Sequence, residues 1–234
     1  MRVLLIGLTL LSLFGCSGKD LQELGQELDL LPLTEAEVTQ ALKDALSRGI
    51  VRSAASASRT DGYFANPSLK IEFPQDAEKL EKTLRKLGLG AQIDQSVLQM
   101  NRAAEQAAAR AKPVFIKAIT AMTIDDAFAI LNGDLDAATQ YLNDHSREEL
   151  YDQFRPIVVE ALDETSATRY YRDIIMHYNA LPLTFDVDPD LAEHATQKAI
   201  DGLLLLMAQE EAYIRNLSSA RSTRLMKRVF GSLD

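Results

Sequence analysis

The chain has 234 residues, 47% hydrophobic and 25% charged, with 25 Lys and Arg against 34 Asp and Glu. That balance belongs to a folded protein and excludes a disordered chain or a fibre. A net charge of −9 excludes a nucleic-acid partner, since phosphate binding works through a basic face, and one cysteine excludes a disulfide framework or a cysteine-only metal cage.

Met1 and Arg2 precede Val3 to Phe14, a twelve-residue run broken only by Gly7, Thr9 and Ser12. A short basic start and an apolar core of this length is the plan of a secretory signal. As a helix the core would reach about 18 Å, short of the roughly 30 Å of bilayer hydrocarbon. Leu13-Phe14-Gly15-Cys16 resembles the bacterial lipobox, although Phe14 departs from the small or β-branched residue usual there. The resemblance implies that residues 1–15 are a lipoprotein signal peptide and that Cys16 is lipidated, with palmitate-type acyl chains, and becomes the new N-terminus. In a Gram-negative cell Ser17, where retained proteins carry Asp, implies delivery to the outer membrane, facing the periplasm. Several acyl chains, at ~0.8 kcal/mol per buried CH₂, anchor stably where one does not. Losing Arg2 leaves 24 bases against 34 acids and a net charge of −10, so the acyl group, and not the protein body, is the expected membrane contact.

Residues 16–33 read as the lipidated N-terminus and tether, with Leu21, Leu24, Leu28 and Leu31 at helical spacing. The helical domain is expected over 34–234. Thr34-Glu35-Ala36-Glu37 is a capping box, followed by Val38, Leu42, Ala45 and Leu46 on one face. Asp61-Gly62 and Asn66-Pro67 signal turns. Leu69, Ile71 and Phe73 alternate with Lys70 and Glu72, predicting a short strand or extended segment over 68–73, closed by Pro74. Leu80, Leu84 and Leu87 predict a helix that Gly88 and Gly90 stop. Ile93 to Ala111 is an alanine-rich helix that Pro113 breaks or kinks, and Val114 to Met122 continues the chain.

Thr123-Ile124-Asp125-Asp126 caps a helix ending at Asn132-Gly133, and Ala137 to Leu142 forms another. Ser146-Arg147-Glu148-Glu149 is a further capping signature, opening a helix kinked at Pro156; Ala167 to Ala180 is helical and closes at Leu181-Pro182. Asp188 is the expected cap, and Pro189 the first turn, of a helix running to about Asn216. Its uncharged run Gly202 to Met207 marks it as the central helix. A last helix near Ser219 to Phe230 carries Arg221, Arg224, Lys227 and Arg228. The expected fold is all-α: a single-domain multi-helix bundle of about eight helices, with one short extended or β segment near 68–73.

Eight strings carry a likeness to one family. They are Met100-Asn101-Arg102-Ala103-Ala104-Glu105-Gln106-Ala107-Ala108, Ile130-Leu131-Asn132-Gly133, Ala138-Thr139-Gln140-Tyr141-Leu142 and Phe154-Arg155-Pro156-Ile157-Val158, then Ala167-Thr168-Arg169-Tyr170-Tyr171, Tyr178-Asn179-Ala180-Leu181-Pro182, Val187-Asp188-Pro189-Asp190-Leu191 and Ala199-Ile200-Asp201-Gly202-Leu203. Over Leu33 to Gly231 the chain resembles the bacterial lipoproteins called domain of unknown function 4197. The resemblance implies an envelope compartment and no named activity.

Asn101, Arg102 and Glu105, three and four residues apart, form one helical patch. Arg155, Arg169, Tyr170, Tyr171 and Asn179 come from neighbouring helices, and with Asp201 they complete a candidate polar binding patch: Arg grips carboxylate or phosphate with paired hydrogen bonds, and Tyr offers a flat face with a hydroxyl. The same residues read more simply as interhelical ion pairs. His145, His177 and His194 lack metal-ligand spacing, and Asp186-x-Asp188-x-Asp190 and Asn132-x-Asp134-x-Asp136 lack the Gly and Glu of a calcium loop, so no metal or other cofactor is expected. No nucleophile elbow, P-loop or dinucleotide fingerprint occurs, and catalysis is not the expected role. The reading is an outer-membrane-anchored lipoprotein that binds an envelope protein or a small molecule. The alternatives are a carboxylate-dependent hydrolase or lyase with an Arg/Tyr-lined pocket, and a carrier of lipid or another small apolar ligand.

Overall fold

In Glu35–Ala57 (α1), the residues Val38, Ala41, Leu42, Ala45, Leu46, Gly49, Ile50, Ser53, Ala54 and Ala57 recur at three- and four-residue steps and are buried as one stripe. The same periodicity builds the other helices of this computed structural model, which describes residues 31–74, 78–181 and 190–234. They are Glu78–Lys86 (α2), Gly90–Ala121 (α3), Ala127–Leu131 (α4), Ala137–Glu164 (α5), Ala167–Asn179 (α6), Leu191–Asn216 (α7) and Arg224–Gly231 (α8), with a 3₁₀ turn at Ser218–Ala220. The protein is all-α, and residues 35–234 form one domain.

Four long helices make the frame, in cyclic order α1, α3, α5, α7. Cross-links set their directions. Lys43 bonds the Thr120 carbonyl, while Tyr63, just past α1, meets Glu105, so α1 and α3 are antiparallel. Arg110 pairs with Glu160 and Lys117 with Glu149, reversing α5 on α3. Thr139 meets Glu211 and Arg147 meets Asp201, reversing α7 on α5. Arg48 pairs with Glu210 and Tyr63 bonds the Ala199 carbonyl, closing the ring. Against α3, α2 and α6 add outer layers; α4 and α8 pack on α1.

Ala103, Ala104, Ala107, Ala108 and Ala111 are buried, which makes α3 a thin cylinder that several neighbours approach. It, and not α7, has the central place: α3 packs on α1, α2, α5, α6 and α7, whereas Leu205 of α7 stays 39% exposed. The run Gly202 to Met207 is therefore a buried stripe, Gly202, Leu203, Leu204 and Met207, with Leu205 outward and Leu206 half-buried. Phe115 of α3 meets Phe154 of α5 edge-on, centroids 6.4 Å apart.

Of the two outcomes expected at Pro113, a break is absent, since α3 continues through it, and α5 continues through Pro156 as expected. A proline orphans the carbonyl four residues back; here those residues, Ala109 and Asp152, are exposed. The capping signature at Ser146 lies inside α5, because Ser146 falls on the buried stripe with Leu142 and Leu150, and Glu149 accepts from Gln153 instead. Gly88, at φ 86°, closes α2, but Gly90 opens α3. Asp188 and Pro189 lie outside the described residues, as do the lipobox, Cys16 and the leucines of 21–28; the described part of α7 is capped by Asp190, whose side chain accepts from the Glu193 amide. Glu37 of the expected capping box pairs with Arg228 of α8. No strand occurs among the described residues. Residues 66–69 turn, and 70–72 are in neither helix, strand nor turn.

Candidate functional site

Asn101, Arg102 and Glu105 do share one face of α3, and what they hold is the strap of chain from 58 to 73. Asn101 is fully buried. Its carboxamide donates to the Ile71 carbonyl (2.7 Å) and accepts from the Ile71 amide (2.9 Å), as a neighbouring strand would. Glu105, 5% exposed, accepts from the Tyr63 amide (3.1 Å) and the Phe64 amide (3.2 Å) through one oxygen, and from Arg102 (2.7 Å) through the other. Arg102 also bonds Asp61 at 2.7 Å; these bonds to Glu105 and Asp61 raise its pKa.

Tyr63 completes the clamp. It is wholly buried, and its hydroxyl donates to the Ala199 carbonyl at 2.7 Å. Burial, with the nearby Asp201 and Glu105 carboxylates, raises its pKa far above the ordinary 10.0. Gly202 is required here: a Cβ at that position would lie 2.7 Å from Tyr63 Cε1. Phe73 extends the hold to α6, its ring 5.5 Å from that of Tyr171, and His194 of α7 bonds the Glu72 carbonyl through Nε2 (3.0 Å).

Between the strap and α7 runs a groove of about 490 Å³, a volume within the range of ligand sites. Leu69, Phe73, Gly202 and Leu205 give it apolar surface; Ser68, Lys70, Glu72, His194, Lys198 and Asp201 give it polar groups. Lys70 pairs with Glu72 at 2.9 Å, and Asp201 with Arg147 at 2.7 Å and Lys198 at 3.7 Å.

Of the nine residues expected to form a polar patch, Asn101, Arg102, Glu105, Tyr171 and Asp201 thus surround the strap. The other four sit on α5 and α6. Arg155 pairs with Asp190 at 3.4 Å, exposed Arg169 stacks on its neighbour Tyr170 at 5.3 Å, and Asn179 is half-buried at the end of α6. His145 stacks on Tyr141 and His177 bonds the Asp173 carbonyl. Among the described residues no three His, Cys, Asp or Glu side chains gather to hold a metal ion.

A second polar cluster, absent from the expected patch, sits at the other end of the frame. Glu211, 1% exposed, accepts from the amides of Ala138 and Thr139 and the Thr139 hydroxyl, capping α5. Arg215 bonds Glu211 and donates to the carbonyls of Leu131 and Ile130, capping α4. Arg221 donates to the carbonyls of Ile214 and Arg215 at the end of α7 and grips Asp234 with two 2.7 Å bonds. The signal in the sequence was a Glu and an Arg four apart on the apolar stripe that also holds Leu203, Leu204 and Met207.

A family model with the description "Protein of unknown function (DUF4197)" matches residues 32–231. No curated protein and no solved structure matches the chain.

Proposed function

The chain belongs to this family of unknown function, and from that premise we propose that it is an outer-membrane-anchored periplasmic lipoprotein acting as a binding module, with the groove between strap and α7 as its recognition surface. The observation that carries the binding half is a groove whose wall is held in advance: the strap is fastened to α3 by Asn101 and Glu105 and to α7 by Tyr63 and His194. A wall already fixed spares a ligand the entropy of ordering it. The anchoring half rests on Leu13-Phe14-Gly15-Cys16 and Ser17; no helix of the described residues is long and apolar enough to cross a membrane.

The hydrolase or lyase alternative gains little from the geometry. Both oxygens of Glu105 are engaged, and Asp201 is paired with two cations. For the carrier alternative the apolar run of α7 offers packed side chains, with Leu203 and Met207 buried against the frame.

Two measurements test the proposal. Mass spectrometry of the protein from native membranes should find residues 1–15 removed and Cys16 diacylated; a free thiol on an intact chain refutes the anchor. A photo-crosslinker at Leu205, in the groove, should yield a discrete adduct in cells that one at exposed Met176 of α6 does not. Equal adducts, or none, refute the groove.

A further inference from the structure

The strap presents a backbone edge to the groove. Ile71 turns both its amide and its carbonyl toward Asn101. Every described peptide bond here is trans, and in a trans unit the C=O and N–H point in opposite directions. The Lys70 carbonyl and the Glu72 amide therefore point away from α3, to the side where His194 of α7 takes the Glu72 carbonyl. The outer groups of this edge are used: the Lys70 amide donates to the Asn66 carbonyl at 2.8 Å, and the Glu72 carbonyl bonds His194. The two between them, the Lys70 carbonyl and the Glu72 amide, have no partner among the described residues. One acceptor followed by one donor, two residues apart, is what a single residue of a parallel strand satisfies with its own N–H and C=O.

We infer that the groove takes an extended polypeptide segment of a partner protein, added in parallel register to residues 70–72, one of its residues bonding the Lys70 carbonyl and the Glu72 amide. This rests on the groove reading above and names its occupant. Side chains flanking the pairing residue meet apolar surface from Leu69, Phe73 and Leu205. Charges at the rim are balanced, Lys70 and Lys198 against Glu72 and Asp201, so main-chain pairing supplies the recognition and tolerates varied sequences.

The test uses the full acylated chain in detergent and an array of random-sequence peptides. Binders should emerge, and Glu72→Pro, which removes the one amide donor, should weaken them at least about tenfold, the effect of one hydrogen bond of about 1.4 kcal/mol. Glu72→Ala, which keeps the amide, should bind like the unaltered chain. N-methylation at a single position of the peptide should reproduce the loss on the unaltered protein, which decides the matter even where Glu72→Pro impairs folding. Absence of any binder, or binders indifferent to both Glu72→Pro and the N-methyl scan, overturns the inference. The groove-filling variant Leu205→Trp separates the two readings: if it abolishes binding while Glu72→Pro does not, strand addition falls and the groove stands; if neither matters, both fall.

Discussion

Replacing Glu105 by Ala removes the carboxylate that fastens the strap to α3. The Tyr63 amide, on a fully buried residue, loses its acceptor, at about 1–3 kcal/mol for an orphaned buried donor. The Phe64 amide is half-exposed and can turn to water, at about 0.5–1.5 kcal/mol. Arg102 keeps Asp61 and loses less than about 1 kcal/mol. The one lost methylene adds ~0.8 kcal/mol. We expect a total of about 2–6 kcal/mol, a large share of a domain's marginal stability, and a fall in Tm of about 4–24 °C at this chain length. Urea and thermal denaturation followed by circular dichroism would measure it, and amide exchange at Tyr63 and Phe64 would localise it. Glu105→Gln keeps an acceptor but turns an amide group toward Arg102, and should cost less. A loss under about 1 kcal/mol for Glu105→Ala, or unchanged exchange at the two amides, would refute the clamp and with it the fixed wall of the groove.

Glu211→Ala should cost about 3–5 kcal/mol, since it leaves buried Arg215 without its carboxylate and two α5 amides without an acceptor; a melt within 2–3 °C of the parent, on the order expected for only about 1 kcal/mol, would contradict this. Gly202→Ala should cost about 1–3 kcal/mol by pressing its methyl into the Tyr63 ring, and the penalty should shrink when Tyr63 is replaced by Leu; equal penalties in both backgrounds would show the ring is not the obstacle. The third expectation concerns alkaline pH. Because burial raises the folded-state pKa of Tyr63 above 10.0, its contribution is fully present below pH 10.0 and is lost as pH rises beyond it, where the unfolded chain releases the proton first. Stability should fall there by up to about 1.4 kcal/mol per pH unit from this group. Tyr63→Phe should flatten the decline by one proton, read from urea midpoints across alkaline pH; parallel declines would argue against a buried neutral phenol.

How much could be read in advance follows the range of the interactions involved. Helical stripes and the shared face of Asn101, Arg102 and Glu105 are set within four residues of chain, where backbone geometry alone brings side chains together. The partners of that face are set by the tertiary fold. Asn101 meets Ile71 thirty residues away, and Glu105 meets Tyr63 forty-two residues away, across the antiparallel pairing of α1 and α3. Where Arg155 and the Arg169–Tyr170 stack come to lie is set in the same way, since a residue type says what it can bond and not where its helix will lie.

By itself the amino-acid sequence determined that this protein is a bundle of amphipathic helices with an acidic surface, because apolar periodicity and charge are properties of the chain. Only the tertiary structure decided that α3 lies at the centre, that α5 runs unbroken through Ser146, and that Glu211 and Arg215 cap two helices in the interior. Local signals such as a serine, a proline or an ion pair act differently according to whether they face solvent or a neighbouring helix: Pro113 and Pro156 are tolerated where the residues four back, Ala109 and Asp152, are exposed, and Ser146 starts no helix because it is buried.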